Sequence, residues 1–229
     1  MCIRDRAFLA AGYSQVPVHI IGSDPGVTAA FNGATHMPFE DGALYMTVPG
    51  AVVIDSCDYV QTKSLTKKLA DYPKLSYMRL IRKNFKTIYA DGSEFEIGKG
   101  VTLKDGKDVT IIASGIMLDE ALRAEEILHA EGISARVIDM HTWKPIDEEL
   151  ICKAAEETGC IVTAENHQIG CGLGSAVANV LVANKPVPME RVGIQDRFGQ
   201  VGPQDFLMKE YNLMAEDIVE AVKKVISRK

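Results

Sequence analysis

Short apolar runs alternate with amphipathic stretches along the whole 229-residue chain. In the first third, apolar runs at 18–21, 51–55 and 75–81 predict strands, and the pattern over 58–72 predicts a helix with a basic outer face. Strands that alternate with helices pair in parallel within one sheet. Because three strands and little more than one helix cannot cover both faces of such a sheet, this block is expected to be half of a domain.

The second half of the chain repeats the same pattern more regularly. Apolar positions recur at helical spacing up to Gly132, which is expected to end its helix. Acidic residues at 147–149 occupy the first turn of the next helix, where the helix dipole favours them. The repetition predicts a complete doubly wound α/β domain. The predicted strands lie at 109–113, 136–140, 160–163 and 192–194, and the predicted helices at 118–131, 146–155, 173–183 and 216–229.

A stretch rich in turns separates the two blocks. It contains Asp-Gly at 91–92 and at 105–106, and the residues between these turns could form a strand that pairs locally. The sequence therefore predicts three regions. An incomplete α/β module covers 1–85, a linker with an edge strand covers 86–106, and the doubly wound domain covers 107–229.

Charge and cysteine content narrow the class of protein. The formal net charge is −6 with scattered Lys and Arg, so there is no basic patch for nucleic acid or anionic lipid. No stretch reaches the roughly 18 apolar residues of a membrane span. The cysteines form no CxxC pair, which favours reduced thiols in a cytoplasmic protein over disulfides or metal binding. They are Cys2, Cys57, Cys152, Cys160 and Cys171.

The most unusual stretch follows directly on the first predicted strand. It reads Gly-Ser-Asp-Pro-Gly at 22–26 and Asn-Gly-Ala-Thr-His at 32–36. Open parallel sheets bind their ligands at the carboxyl ends of their strands, and His36 can transfer or donate a proton near neutral pH. Two interpretations stay open at this point. The stretch is either a ligand-binding loop or a structural loop whose histidine caps the next helix.

Two arginines, Arg79 and Arg82, flank the end of the third predicted strand. A guanidinium at this edge could bind a phosphate or a carboxylate through two parallel hydrogen bonds. The alternative is a solvated strand end, which the residues alone favour.

A glycine-rich turn follows Asn166 and His167, with the sequence Gly-Cys-Gly-Leu-Gly at 170–174. It resembles a dinucleotide fingerprint only superficially, because the third glycine is at the wrong spacing and no acidic residue lies about 20 positions further on. A tight turn with close helix packing is the preferred interpretation. His141 and His167 have no acidic or cysteine pair at ligand spacing, so no metal site is predicted.

Four segments together resemble one family, the C-terminal subunits of split transketolases, whose enzyme is made of two polypeptides. The similarity runs from about residue 11 to the end. Beta subunits of 2-oxo-acid dehydrogenases and deoxyxylulose-phosphate synthases share the C-terminal domain, but the first two segments look closer to transketolase. The segments are Gly-Ala-Thr-His-Met-Pro at 33–38, Met-His-Thr-Trp-Lys-Pro-Ile-Asp at 140–147, Thr-Ala-Glu-Asn-His at 163–167 with Gly-Leu-Gly at 172–174, and Asp-Arg-Phe-Gly at 196–199.

The resemblance implies a fold, a cofactor and partners. Residues 1–85 correspond to part of a pyrimidine-binding module, and residues 107–229 to a complete transketolase C-terminal domain that serves mainly for scaffolding and for contact in a homodimer. The implied cofactor is thiamine diphosphate, with Mg²⁺ held by the N-terminal partner subunit. The family's activating glutamate and the aromatic residues that stack on the pyrimidine ring are expected upstream of this N-terminally truncated chain. The chain alone is therefore expected to be inactive.

The resemblance also assigns site residues. His36 matches the family histidine that faces the donor sugar and the cofactor, so it is the expected catalytic and cofactor-contacting residue. Arg82 matches the arginine that binds the substrate phosphate. Asp24 stands where related enzymes usually have a phosphate-contacting histidine, and Asn32 where they usually have an aspartate that binds a sugar hydroxyl. These two departures indicate an unusual sugar substrate.

The implied activity is transfer of a two-carbon ketol unit from a ketose, or its phosphate, to an aldose, as in pentose phosphate metabolism. Thiamine diphosphate would act as the electron sink. The alternatives are a beta subunit of a 2-oxo-acid dehydrogenase, which would act on a keto acid, and a non-catalytic assembly domain. Acceptor use separates the first two.

Overall fold

The computed structural model describes residues 3–83 and 85–229. Its first sheet contains β1 (His19–Ser23), β2 (Val52–Asp55), β3 (Ser76–Leu80) and β7 (Thr142–Lys144) in the order β1-β3-β2-β7. The first three strands are parallel, and β7 runs antiparallel to β2. The carboxyl ends of β1, β2 and β3 therefore meet at one edge of the sheet.

The second sheet contains β4 (Val101–Lys104), β5 (Val109–Ala113), β6 (Ala135–Asp139), β8 (Ile161–Gln168) and β9 (Met189–Ile194). Its order is β4-β6-β5-β8-β9, with β4 antiparallel to β6 and the other neighbours parallel. Strand order reverses on either side of β5, as in a doubly wound sheet. The edge strand β4 lies within the predicted linker.

Helices connect the strands, and short polar side chains or glycine mark several of their ends. The Asp58 side chain accepts a hydrogen bond from Gln61 N at the start of α3, Asp147 does the same for Leu150 N at α5, and the left-handed Gly159 ends α5. No helix in the described part of the chain is long and apolar enough to cross a membrane. The α-helices are α1 (Ile3–Arg6), α2 (Asp41–Met46), α3 (Tyr59–Ala70), α4 (Met117–Ala130), α5 (Glu148–Thr158), α6 (Leu173–Asn184), α7 (Gln204–Glu210) and α8 (Ala215–Ile226). A π-helical segment (Ala7–Tyr13) follows α1, and two 3₁₀ segments (Gly26–Asn32 and Ala34–His36) follow β1.

Each predicted strand and helix is present within a few residues of its predicted position, and the α/β fold class is confirmed. The sequence pattern missed α1, α2, α7 and β7. The expectation that the first sheet lacks cover is wrong, for two reasons. The second module adds β7 as a fourth strand, and its side chains pack on one face of the sheet.

Two of the hydrophobic clusters contain residues of both modules. Residues on β2 and β3 alternate between the two faces of the first sheet, as the strand period requires. Val53 and Tyr77 pack with Ile112 and Ile138 of the second module, whereas Ile54 and others pack on the opposite face under α3. The first module is therefore not packed independently of the second. The boundary predicted at residue 85 does not separate two hydrophobic cores.

Trp143, in the middle of β7, fits closely against the first module. Its side chain is completely buried, and its indole Nε1 donates to Ser114 Oγ at 2.9 Å. A Cβ atom on Gly42 would lie 2.4 Å from the Trp143 ring, so only glycine fits there. Next to it, Lys144 Nζ donates to the carbonyls of Met46 and Val48 at the end of α2. The His-Thr-Trp-Lys segment is thus a joint between the modules.

A buried charge network lies under this joint. Arg79, with a relative exposure of 0%, donates to Asp41 Oδ2 at 3.0 Å and to Asp55 Oδ2 at 3.2 Å. Tyr77 also donates to Asp41, and Ser114 of the second module donates to Asp55. Burial raises the pKa of the Asp55 carboxyl, and the nearby Arg79 charge opposes that shift. The solvated strand end considered for Arg79 is therefore wrong.

Removing the Arg79 charge should destabilise the whole chain. An Arg79→Met substitution leaves two carboxylates, Asp41 and Asp55, buried without their cation. Breaking a buried pair in this way costs about 3–5 kcal/mol. We expect a loss of that size in the free energy of unfolding, measured by urea denaturation.

The matched control is Lys63→Met. Lys63 pairs with Asp91, and their side chains are 60% and 72% exposed. Exposed pairs contribute about 0–1 kcal/mol. Equal losses for the two variants would contradict the role assigned to the buried network.

Candidate functional site

The candidate site lies at the carboxyl edge of the first sheet. It is built on residues 24–39, which connect β1 to α2 and are called here the His36 loop. The loop begins where Asp24 N donates to Leu80 O of β3, and it closes on itself where Gly26 N donates to Pro38 O at 2.9 Å. Compact loops with adjoining ends commonly carry binding functions.

The tip of the His36 loop is open to solvent. His36 and Asn32 are both exposed, and Phe31 is 72% exposed. His36 Nδ1 shares a hydrogen bond with Thr35 Oγ1 at 2.9 Å. The helix-cap alternative for His36 is not supported, because His36 ends its own 3₁₀ segment and the residue preceding α2 is Glu40. The tip therefore exposes an imidazole, an amide and an aromatic ring, which are available to a ligand or a partner protein.

Two predicted site residues, Asp24 and Arg82, contact each other. The Asp24 carboxylate is 4% exposed and accepts from Arg82 N at 2.9 Å, and it also contacts Nε and Nη2 of the Arg82 guanidinium. The Arg82 side chain is 63% exposed. The arginine is thus at the predicted edge, but its charge is already paired within the protein.

The end of β8 holds both ends of the His36 loop from the second module. Asn166 bonds to the backbone of Pro25 and Val27, and Gln168 N donates to Phe39 O at 2.8 Å. The sequence pattern missed this role and assigned Asn166 to a tight turn. The sequence did contain a signal for this role. Asn166 and His167 follow an apolar run that is buried, and buried polar side chains need hydrogen-bond partners.

The glycine-rich turn before α6 is occupied by the side-chain carboxyl group of Glu165. Glu165 is fully buried and accepts from the backbone N–H groups of Leu173 and Gly174 at 2.7 and 2.8 Å. A Cβ atom on Gly172 would lie 1.9 Å from Glu165 Oε2. A dinucleotide phosphate would need these same N–H groups. The glycines therefore serve close packing, as preferred from the sequence.

A second opening at the same edge is a cavity of about 530 Å³ near the ends of β2 and β3. It contains Cys57 and Asp58, but both are committed to the fold. Burial raises the pKa of the Cys57 thiol, which stays protonated, and Asp58 accepts from the backbone of Gln61, Ile88 and Tyr89. Among residues 3–83 and 85–229, no group of three or more His, Cys, Asp or Glu side chains could hold a metal ion.

Four buried titratable groups in the second module have strongly shifted pKa values. One of them is His141, whose pKa burial lowers to about 4. Burial raises the pKa of Asp139 to about 7, although Tyr89 and Gln61 donate to its Oδ2. Burial also raises the pKa of Glu165 to about 8. Burial and, secondarily, the Arg79 charge lower the pKa of His167 to about 4. His167 therefore stays neutral, which suits a ring nitrogen that accepts from Ala43 N at 3.4 Å.

Comparison with protein families divides the chain into the same two modules. Residues 1–87 match the model described as "Transketolase, pyrimidine binding domain", and residues 98–218 match "Transketolase, C-terminal domain". Similar curated proteins and a similar solved structure extend this match over nearly the full chain.

The chain is 43% identical over 225 residues to the 6-deoxy-6-sulfo-D-fructose transketolase subunit SqwH of Clostridium sp. (strain MSTE9), covering 98% of this chain and 70% of that protein. It is 41% identical to one of the subunits of the apulose-4-phosphate transketolase of Phocaeicola vulgatus, covering 94% and 69%. A solved structure described as "Split gene transketolase, inactive beta4 tetramer" superimposes with a TM-score of 0.92 at 41% identity, covering 97% of this chain and 71% of that one.

The raised pKa of Asp139 predicts a pH-dependent contribution to stability. The folded chain keeps this carboxyl protonated up to pH about 7, whereas an unfolded aspartate loses its proton near pH 4. Stability from Asp139 is therefore fully present below pH about 4 and falls as pH rises to about 7, by at most about 1.4 kcal/mol per pH unit. Asp139→Asn removes this titration while keeping the shape of the side chain.

We expect the free energy of unfolding of Asp139→Asn to improve relative to wild type between pH 4 and 7 and to stay level above pH 7. Urea denaturation at a series of pH values measures the difference in the free energy of unfolding between the variant and the wild type. The contributions of Glu165 and His167 are present in both proteins and cancel in this difference. The exposed Asp71→Asn variant is the control. A difference that does not vary between pH 4 and 7 would argue against a buried protonated Asp139.

Proposed function

The chain belongs to the transketolase family, as a C-terminal subunit of a split transketolase, and we propose that it forms with an N-terminal subunit an enzyme that transfers a two-carbon ketol unit from a ketose to an aldose. One observation carries the proposal. The His36 loop, with its exposed histidine and amide, lies at the carboxyl edge of the sheet of the pyrimidine-binding module. The relatives described above are transketolases, which favours a sugar over the keto acid of a 2-oxo-acid dehydrogenase.

The proposed cofactor is thiamine diphosphate, bound between this chain and the N-terminal subunit. When bound, it would supply the electron sink that allows cleavage of a carbon–carbon bond next to a carbonyl. The described residues of this chain fit one side of such a site, because His36, Asn32 and Phe31 are exposed together on one loop rather than enclosed. We propose that Mg²⁺ and the diphosphate are held by the partner subunit.

His36 is the proposed proton-transfer group. A neutral imidazole has one donor and one acceptor nitrogen, and the Thr35 hydroxyl engages Nδ1. Nε2 would then donate a hydrogen bond, or a proton, to the sugar oxygen that gains negative charge during the reaction. The rigid base of the loop would keep this nitrogen in place during the reaction.

The paired charges of Asp24 and Arg82 bear on the substrate. With its charge offset by a carboxylate, the Arg82 guanidinium attracts a phosphate dianion less than a free arginine would. We propose that the sugar is not the usual pentose phosphate but one that is unphosphorylated, branched or carries its anion elsewhere. The names of two relatives support this, since one refers to a 6-sulfo sugar and the other to a 4-phosphate.

We further propose assembly through the C-terminal module and a location in the cytoplasm. The similar structure is described as a tetramer of beta chains. The described cysteines are free thiols, which are typical of a reducing compartment.

The first functional prediction concerns His36 and the need for a partner. The 229-residue chain with thiamine diphosphate and Mg²⁺ should give no ketol transfer. The two-subunit enzyme should give it when this chain is joined to the upstream segment that supplies the activating glutamate expected from the family resemblance. In that enzyme His36→Ala should lower kcat by about 10²–10⁴-fold, the usual contribution of a general acid or base.

The control is His129→Ala, which changes an exposed histidine at the end of α4. Steady-state ketol transfer between a ketose donor and an aldose acceptor is the measurement. Activity of the isolated chain would contradict the need for a partner, and a His36→Ala enzyme as fast as His129→Ala would contradict the role of His36.

The second functional prediction concerns specificity. Asp24→Asn keeps an acceptor for Arg82 N but frees the guanidinium charge. We expect kcat/KM for D-xylulose 5-phosphate, a dianion, to rise about tenfold relative to 6-deoxy-6-sulfo-D-fructose, a monoanion, which corresponds to about 1.4 kcal/mol. Asp91→Asn, which changes a side chain that is 72% exposed, is the control. An unchanged ratio of the two kcat/KM values would contradict the proposed effect of the Arg82 charge.

A further inference from the structure

One side chain of the second module bridges two backbone groups of the His36 loop. Asn166, 2% exposed, accepts from Val27 N at 3.0 Å through Oδ1 and donates to Pro25 O at 2.9 Å through Nδ2. A single amide therefore satisfies the buried acceptor and donor on either side of Gly26. A carboxylate of the same shape could accept but not donate.

The approach of the loop to Asn166 is as close as a backbone allows. Gly26 has a φ of +57°, and a Cβ atom there would lie 2.1 Å from Asn166 Oδ1. Glycine is therefore required by both the conformation and the space. The contact is specific to this pair of positions, rather than a general packing of two surfaces.

Asn166 is itself held in a fixed place. Its carbonyl accepts from Arg79 Nη2 at 2.9 Å, which ties it to the buried charge network. The preceding Glu165 is anchored to the start of α6 by two backbone bonds. The amide thus projects from a rigid strand end, as a positioning group must.

A shift at Pro25 to Val27 would reach His36 directly. Gly26 N bonds to Pro38 O, so the first turn of the loop and the residues just after His36 move together. Loss of the Asn166 bonds would therefore displace the imidazole without removing any group of the loop itself.

We propose that Asn166 is a positioning residue for the reaction, through which the C-terminal module sets the location of His36. The inference rests on the proposed function, because it is the proposed role of His36 that makes its position matter. It assigns the C-terminal module a part in the active site in addition to the expected scaffolding and dimer contact.

Hydrogen exchange tests the positioning without using activity. In the full chain, Asn166→Ala should speed amide exchange in peptides covering residues 24–39 and leave β5 unchanged. Asn166→Ser, which leaves a shorter, uncharged polar side chain, should have a smaller effect and provides a second variant if the first does not fold. Asn184→Ala is the matched control, because the Asn184 amide also bonds a backbone carbonyl, at the end of α6.

Kinetics of the assembled enzyme test the consequence. Asn166→Ala should lower kcat per active site by about 10–100-fold, the range expected for a misplaced catalytic group. A merely structural defect would reduce the number of active sites, counted by thiamine diphosphate titration, and leave kcat per site unchanged.

The outcomes separate the two proposals. Exchange that is unchanged in residues 24–39, or faster throughout the second module, overturns the positioning role. Faster exchange confined to the loop, with an unchanged kcat per active site, overturns the importance of Asn166 for the reaction. If wild-type enzyme shows no ketol transfer, the proposed function fails, and the exchange comparison still decides whether Asn166 positions the loop.

Discussion

The architecture depends on keeping one guanidinium, that of Arg79, away from water. A buried cation is stable only where anions and hydrogen-bond acceptors surround it, and Arg79 obtains them from three places. Asp41 and Asp55 come from the first module, and the Asn166 carbonyl comes from the second. The acceptors can be assembled only when both modules are folded and in contact. The ion network therefore makes the relative placement of the two sheets a condition of folding.

The same contact explains how the site is divided between the modules. The groups proposed to meet the sugar lie on the His36 loop of the first module, whereas the bonds that hold the ends of that loop come from β8 of the second. Exposed catalytic groups on a rigidly held loop combine access with precision. The shape of the candidate site is thus a property of both modules, even though the groups proposed to react lie on the first.

The sequence predicts the elements well because local patterns decide them. The run at 109–113 is a strand in the structure with the same limits, and Gly132 ends α4 as expected. The contacts between modules could not be predicted from local patterns. Strand β7 has three residues and pairs with β2, about 90 positions earlier, so neither length nor periodicity reveals it. Arg79 and Asn166 are similar cases, because their partners are distant in sequence and their burial is decided only by the tertiary fold. The family resemblance predicts His36 and Arg82 as site residues, but the pairing of Arg82 with Asp24 became visible only in the structure.

The insertion of Trp143 opposite Gly42 has a consequence for recombination between relatives. A crossover in the stretch between the sheets would look harmless, since it cuts no helix or strand of either module. It would nevertheless combine a Trp143 from one parent with residue 42 from another, and any side chain at 42 would occupy the space of the indole ring. The two halves of this chain are therefore expected to be inherited as a unit, and working chimeras would have to exchange both positions together.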